Sequence, residues 1–137
     1  MTFPAVRPRR LRMRDALRRA VAETRLHPSQ LVLPVFVVDG EGVRNPIGSM
    51  PGHFQLSVDQ VTLLAKEAES VGVGGMLFFG VAAHKDETGS SAWDPAGPVP
   101  RAIAAVADAA PELVRWADVC LCEYTSHGHC GPVRGGV

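Results

Sequence analysis

The sequence lacks several features that would place it in common classes of protein. It has no apolar run close to the roughly 20 residues of a membrane span, and no apolar segment follows its basic N-terminus, as a secretory signal would require. Lysine plus arginine and aspartate plus glutamate number 14 each, so the net charge is zero and no overall field attracts nucleic acid or an anionic membrane. We therefore expect a cytoplasmic protein whose partners include neither a membrane nor nucleic acid.

Cysteine is scarce, and the few cysteines lie in one place. All three fall within "DVCLCEYTSHGHCG" (residues 118–131). The cytosol keeps thiols reduced, and clustered thiols there more often bind a metal or take part in chemistry than form disulfides. The remaining composition is that of one globular domain with a core, because 46% of the 137 residues are hydrophobic and 20% are charged.

The apolar pattern predicts strands that alternate with helices. Two continuous apolar runs are typical of strands buried on both faces of a parallel sheet. Between them, Ser57 and Gln60 have the spacing of a capping box, and Gly72 is placed to end the helix that follows. The first strand–helix connection has no G-x-G-x-x-G, which disfavours a dinucleotide-binding fold. The predicted elements are strands over 30–38, 73–81 and 114–122 and helices over 57–71 and 100–110.

This order predicts an α/β fold with a parallel sheet, which is either an open doubly wound sheet or a closed (β/α)₈ barrel. Most of the arginines precede it, between Arg7 and Arg25, and apolar residues at helical spacing predict an amphipathic helix over residues 12–25. Pro4 and Pro8 predict an extended arm before that helix. We therefore divide the chain into an arm with a short helix, residues 1–28, and an α/β part, residues 29–137.

The spacing of the cysteines predicts a metal site. Cys120 and Cys122 share one face if the third strand extends to them, since side chains alternate along a strand. Glycines in the following loop would let the backbone return Cys130 to the same point. Three converging thiolates suit zinc, and three protein ligands leave the fourth position open, as catalytic zinc sites do. The alternative is that the thiols are inert core residues.

Three more residues of this segment are candidates for the site. His127 or His129 would close a structural zinc site as a fourth ligand, although we favour a supporting role in which they hydrogen-bond to neighbours. Asp118 precedes Cys120 by two residues and would share its face. Its carboxylate is equally compatible with holding a substrate amine or a metal-bound water and with a structural role.

Several segments carry a resemblance to a known family. "DVCLCEYTSHGHCG" resembles, almost letter for letter, the zinc-binding signature of the porphobilinogen synthase (delta-aminolevulinic acid dehydratase) family. The similarity extends along the chain from about Arg7. It includes the segments "RPRRLR", "LVLPVFV", "PIGSMPG", "LFFGV" and "KDETGSSAWDPAGPVPRAI".

The resemblance implies the first part, about three βα units, of a (β/α)₈ TIM barrel with an N-terminal arm. It also implies a hydro-lyase that condenses two molecules of 5-aminolevulinate to porphobilinogen in tetrapyrrole (heme) biosynthesis. Members form homo-oligomers, commonly octamers, and magnesium or potassium is a further candidate cofactor of the intact enzyme. By residue, the family pattern makes Cys120, Cys122 and Cys130 the zinc ligands and Asp118 an active-site residue. It places Arg9, Arg10 and Arg12 in subunit contacts.

The resemblance also shows where the sequence departs from the family. The family's chemistry needs two lysines that form Schiff bases with substrate, and neither Lys66 nor Lys85, the two lysines present, matches such a position. Trp93 stands where a tyrosine is frequent. We expect the chain to be an N-terminal portion that is inactive alone, with an open sheet edge. Two alternatives are a stand-alone zinc-binding module and a nucleic-acid binder that uses the arginine-rich arm.

Overall fold

The computed structural model describes residues 9–135 and contains five strands in one sheet. The sheet has the order β2-β3-β1-β4-β5, and all neighbouring pairs are parallel except β2 with β3. The strands are β1 (Val32–Val37), β2 (Arg44–Pro46), β3 (Phe54–Leu56), β4 (Gly75–Gly80) and β5 (Val114–Ala117). The helices are α1 (Asp15–Ala20), α2 (Val58–Ser70) and α3 (Pro98–Ala109), with 3₁₀ turns at Arg10–Arg12, Pro28–Gln30 and Ser90–Trp93.

The predicted α/β class is confirmed. Parallel β1, β4 and β5 are connected by α2 and α3, which is the repeating order of a β/α barrel. Pro34 has no backbone N–H to donate, yet it is accommodated inside β1. Val38 N–H donates to Leu56 O on the β3 side. Because the backbone groups of a strand point alternately to its two neighbours, position 34 also faces β3. There β3 begins only opposite Phe36, and no ladder bond is lost.

The core lies between one face of the sheet and the two long helices. Alternate residues of the two central strands, such as Val37 and Phe78, are fully buried against Val61 of α2 and Val106 of α3. The opposite face of the same strands carries an aromatic stack of Phe36 on Phe79, with ring centroids 5.4 Å apart. The core face of the strands is fully buried, whereas Phe36 and Phe79 on the other face are only half-buried, so the predicted burial on both faces is incomplete among the described residues.

Several sequence-based boundaries are wrong. The predicted capping box is absent, because Ser57 Oγ accepts from Val43 N–H and donates to the Asp59 carboxylate, and it accepts no backbone N–H of its own helix. The third strand ends at Ala117 and not at residue 122. Strands β2 and β3 form between the first predicted strand and the helix predicted from Ser57, where no strand was predicted.

The N-terminal helix is shorter than the predicted 12–25. The structure has only six α-helical residues, Asp15–Ala20, after the 3₁₀ turn at Arg10–Arg12. Every described residue from 9 to 32 is exposed, so no packing stabilises a longer helix, and short helices are marginal in water on their own. Pro4 and Pro8 of the predicted arm lie outside the described residues. In the described part of the chain no helix is both long and apolar enough to cross a bilayer.

Candidate metal centre

The three cysteine side chains meet just beyond the carboxyl end of β5. Cys120 Sγ lies 3.2 Å from Cys122 Sγ and 3.2 Å from Cys130 Sγ, and all three sulfurs lie within 4.8 Å of one another. None of them forms a disulfide. Sulfurs bound to one tetrahedral zinc at about 2.3 Å stand about 3.8 Å apart, so the cluster needs only a small expansion to take such an ion.

The convergence has a different cause from the predicted strand alternation. Leu121 O accepts from the N–H groups of both Tyr124 and Thr125, which folds the chain directly after Cys120 into a turn. Gly128 then adopts a left-handed φ of 73°, and its N–H bonds to Thr125 O. A side chain at this position would strain the backbone, so glycine allows the reversal that brings Cys130 back.

The electrostatics of the thiols are unequal. Hydrogen bonding from the Cys122 backbone N–H, and then from the neighbouring thiols, lowers the pKa of Cys120. The interaction with the Cys120 sulfur raises the pKa of Cys122 to about 11 and also raises that of Cys130. Cys120 is therefore the first of the three to become a thiolate, which is the form that binds metals.

The His127 ring is hydrogen-bonded at both of its nitrogens. His127 Nδ1 accepts from His129 N–H, which leaves the proton on Nε2, 3.1 Å from the Glu87 carbonyl oxygen. Both ring nitrogens of His127 are therefore engaged, Nδ1 within the cysteine loop and Nε2 with the loop that carries Glu87. The His129 ring tilts against that of His127 at 5.3 Å between centroids. Within residues 9–135, the cysteines are the only group of three or more histidine, cysteine or acidic side chains placed to share a metal ion.

A carboxylate pair lies beside the cysteines. Asp118 is half-buried, and its N–H bonds to Phe78 O at the end of β5. Burial, and secondly the charge of Asp118, raise the pKa of Glu123 to about 7, although Lys85 opposes this rise. Glu123 Oε2 is buried without a hydrogen-bond partner. Glu123 did not stand out in the sequence, since its proximity to Asp118 arises from the turn at Leu121.

A cavity of about 750 Å³ opens next to these groups, within the 300–1,000 Å³ range of small-molecule sites. Asp118, Cys120 and Tyr124 line one side of it, and Trp93 with Ile103 of α3 contributes apolar surface. The predicted arginine contacts lie elsewhere. Arg9, Arg10 and Arg12 are all exposed in the N-terminal segment.

Comparison with known proteins identifies the family. A family model described as ALAD, delta-aminolevulinic acid dehydratase, matches residues 5–137. A protein of that name from Synechococcus elongatus is 47% identical over 134 residues, which are 98% of this chain and 41% of that protein. The one from Streptomyces coelicolor is 44% identical over 137 residues, 98% of this chain and 42% of its own length.

A solved structure agrees with these sequences. Delta-aminolevulinic acid dehydratase (porphobilinogen synthase) from Toxoplasma gondii, in complex with the reaction product porphobilinogen, superimposes with a TM-score of 0.84 at 38% identity. The match covers 95% of this chain and 37% of that one. The chain thus spans about two fifths of the length of these relatives. On the family model and on these similarities, the chain belongs to the delta-aminolevulinic acid dehydratase family.

Proposed function

We propose that this chain is the metal-binding part of a porphobilinogen synthase, a hydro-lyase that condenses two molecules of 5-aminolevulinate to porphobilinogen with loss of water. The observation that carries the proposal is the cluster of three free thiols within 4.8 Å, at the carboxyl end of a barrel-type strand and beside a cavity of substrate size. The carboxyl ends of the strands are where β/α barrels place their chemistry.

Zinc is the metal we propose for the cluster. Soft thiolate ligands select zinc over magnesium or calcium, which prefer oxygen. With Cys120, Cys122 and Cys130 as its ligands, a fourth position remains for substrate, as in catalytic sites. When bound there, zinc supplies Lewis-acid polarisation of a substrate oxygen.

The stand-alone zinc module has less support. It would need a closed site with a fourth protein ligand, and both ring nitrogens of His127 already bond within the loops. We therefore propose that His127 supports the conformation of the cysteine loop and does not bind the metal. We propose the same role for His129, because its N–H and its carbonyl oxygen both bond within that loop.

The carboxylate pair is suited to holding a substrate amine and moving a proton. Asp118 lines the cavity together with Cys120, so an ammonium group of 5-aminolevulinate in that cavity would lie near an acceptor. A neighbouring Glu123 with a pKa of about 7 exchanges a proton readily at neutral pH. We assign Asp118 the role of orienting the substrate amine and Glu123 that of sharing its proton.

The chain does not supply the amines that the family's reaction requires. Lys66 is exposed on α2, and Lys85 is exposed in the loop after β4. We propose that the chain by itself binds metal without forming porphobilinogen. For the whole enzyme we propose that the Schiff-base lysines lie outside this chain and that magnesium or potassium is a further cofactor. We also propose a cytoplasmic homo-octamer with Arg9, Arg10 and Arg12 at its subunit contacts.

The metal proposal is tested by titrating the reduced chain with Co²⁺ as a spectroscopic substitute for zinc. We expect one ion per chain, with the charge-transfer absorption of thiolate ligands, and competition by zinc. Replacing any one of Cys120, Cys122 or Cys130 by serine should weaken binding by at least about 100-fold, because each removes one of three strong ligands.

The controls are His129→Ala, which should bind the ion with the same absorption as the wild type, and an assay for porphobilinogen, which should detect none. Undiminished binding after the cysteine substitutions would contradict the metal site. Loss of binding in His129→Ala equal to that in Cys130→Ser would instead favour the closed zinc module.

A further inference from the structure

The loop after β4 is organised around the carboxylate of Asp86, which is not among the proposed catalytic or metal-binding groups. Asp86 Oδ1 accepts hydrogen bonds from Thr88 N at 2.8 Å, from Thr88 Oγ1 at 2.9 Å and from Ser90 N at 3.1 Å. Its Oδ2 accepts from Ser90 Oγ. These bonds, led by that of Ser90, hold the pKa of Asp86 well below its usual range. The carboxylate therefore fixes residues 86–90 as a single turn.

The main chain of that turn is bonded to the cysteine loop. Ser126 N–H donates to Asp86 O at 2.8 Å, and Asp86 N–H donates to Tyr124 O at 3.3 Å. His127 Nε2 lies 3.1 Å from Glu87 O. Three contacts thus run from a segment organised by Asp86 to residues 124–127, which lie between Cys122 and Cys130.

The contacts continue from there to the third sulfur. Thr125 is fully buried, and its Oγ1 donates to the carbonyl oxygen of His129 at 2.8 Å. Because His129 immediately precedes Cys130, this bond ties the backbone that carries the Cys130 sulfur to Thr125. The backbone on either side of Thr125 is bonded to Asp86, so the carboxylate turn and the sulfur are linked through a continuous set of hydrogen bonds.

We propose that Asp86 is a positioning residue for the metal centre: through the turn 86–90 it holds the loop 121–130 in the conformation that brings the three thiols together. This inference rests on the proposed metal site. Asp86 is not a ligand, and its effect is to preorganise the ligands, so that metal binding does not have to order the loop. Partners that orient metal ligands typically contribute 10- to 100-fold to metal affinity.

The test compares Asp86→Ala with the wild-type chain in Co²⁺ affinity, measured by competition with a chromogenic chelator. We expect affinity to fall about 10- to 100-fold. At saturating Co²⁺ the thiolate charge-transfer absorption should keep its full intensity, because all three sulfurs still bind. Asp86→Asn, which keeps Oδ1 as an acceptor, should fall between the two.

The chain contains a matched control in Asp59. Its carboxylate likewise accepts from a serine hydroxyl, Ser57, and from a backbone N–H, Gly42, but at the start of α2. Asp59→Ala should lower the melting temperature of the metal-free chain and leave Co²⁺ affinity within about twofold.

Equal affinity losses in Asp59→Ala and Asp86→Ala, or wild-type affinity in Asp86→Ala, would overturn the positioning role. If Asp86→Ala does not fold, Asp86→Asn is compared with Asp59→Asn, and equal affinities overturn it too. If Cys120→Ser binds Co²⁺ as well as the wild type does, the metal site itself fails, which is a different outcome.

Discussion

At the scale of single residues, the surroundings of Glu123 disfavour its negative charge. One carboxylate oxygen is buried without a partner, and Asp118 adds negative charge nearby. Both effects disfavour the ionised form, and they raise the pKa from 4.5 to about 7. A residue in this setting reduces stability when it is charged, and such residues are typical of functional sites.

We predict that Glu123→Gln stabilises the reduced, metal-free chain at pH 8 and has less effect near pH 5. The folded-state pKa exceeds the unfolded one, so the unfolded chain holds fewer protons between them, and wild-type stability falls as pH rises from about 4.5 to about 7. Because the side chain is partly exposed, solvent screening limits the gain to on the order of 1 kcal/mol. Denaturant unfolding at the two pH values measures it.

The control for this substitution is Glu41→Gln, which removes the same charge from the exposed loop after β1. It should leave the pH dependence of unfolding as in the wild type. A Glu123→Gln chain with the wild-type pH profile would show that the carboxyl is solvated in the folded state.

Residue chemistry also explains how much of the site could be predicted. Cys120, Cys122 and Cys130 stood out because thiols are rare in the chain and soft ligands have few other reasons to cluster. Asp86 and Glu123 did not, because ordinary carboxylates gain their roles only from the turns that surround them. The sequence contains those turns but gives no measure of which loops meet in space.

At the scale of elements, the strands and helices with long apolar patterns could be predicted from the sequence, and the short strands could not. β1 and β4 were predicted from continuous runs of apolar residues, and α2 and α3 from their helical spacing. β2 was missed because its three residues are all exposed and include Pro46. β3 is equally short, and it forms because β1 offers a free edge opposite Phe36.

The end of β4 is joined to the cysteine loop by a close approach. A Cβ at Gly80 would meet the Tyr124 hydroxyl and would lie 2.8 Å from its Cζ. We predict that Gly80→Ala displaces Tyr124 and destabilises the chain by about 1–3 kcal/mol, because neither the strand nor the buried ring can move freely. Urea unfolding of the reduced chain measures this change.

Gly48→Ala is the matched control, since a Cβ there has no atom within 4 Å. It should change the free energy of unfolding by less than about 0.5 kcal/mol. If Gly80→Ala proves as mild as Gly48→Ala, then Tyr124 does not pack against the strand end in solution.

At the scale of the whole molecule, the sheet has one unpaired side next to the candidate site. Among residues 9–135, β5 pairs with β4 alone, and its other edge borders the apolar cavity. Large apolar side chains remain exposed there: Val114 at 50%, Trp116 at 43% and Val119 at 94%. An uncovered edge strand with apolar neighbours is a template for association between chains.

We therefore predict that the purified chain self-associates through the β5 edge, and that the double substitution Val114→Lys with Val119→Lys shifts it toward monomer. Charged side chains oppose edge-to-edge pairing because their burial is costly. Sedimentation velocity over a range of concentrations measures the change. Leu63→Lys, which places the same charge at a 60%-exposed leucine of α2, should leave association unchanged. A chain that is monomeric at every concentration, or one that Leu63→Lys dissociates just as well, would show that the β5 edge is not the contact.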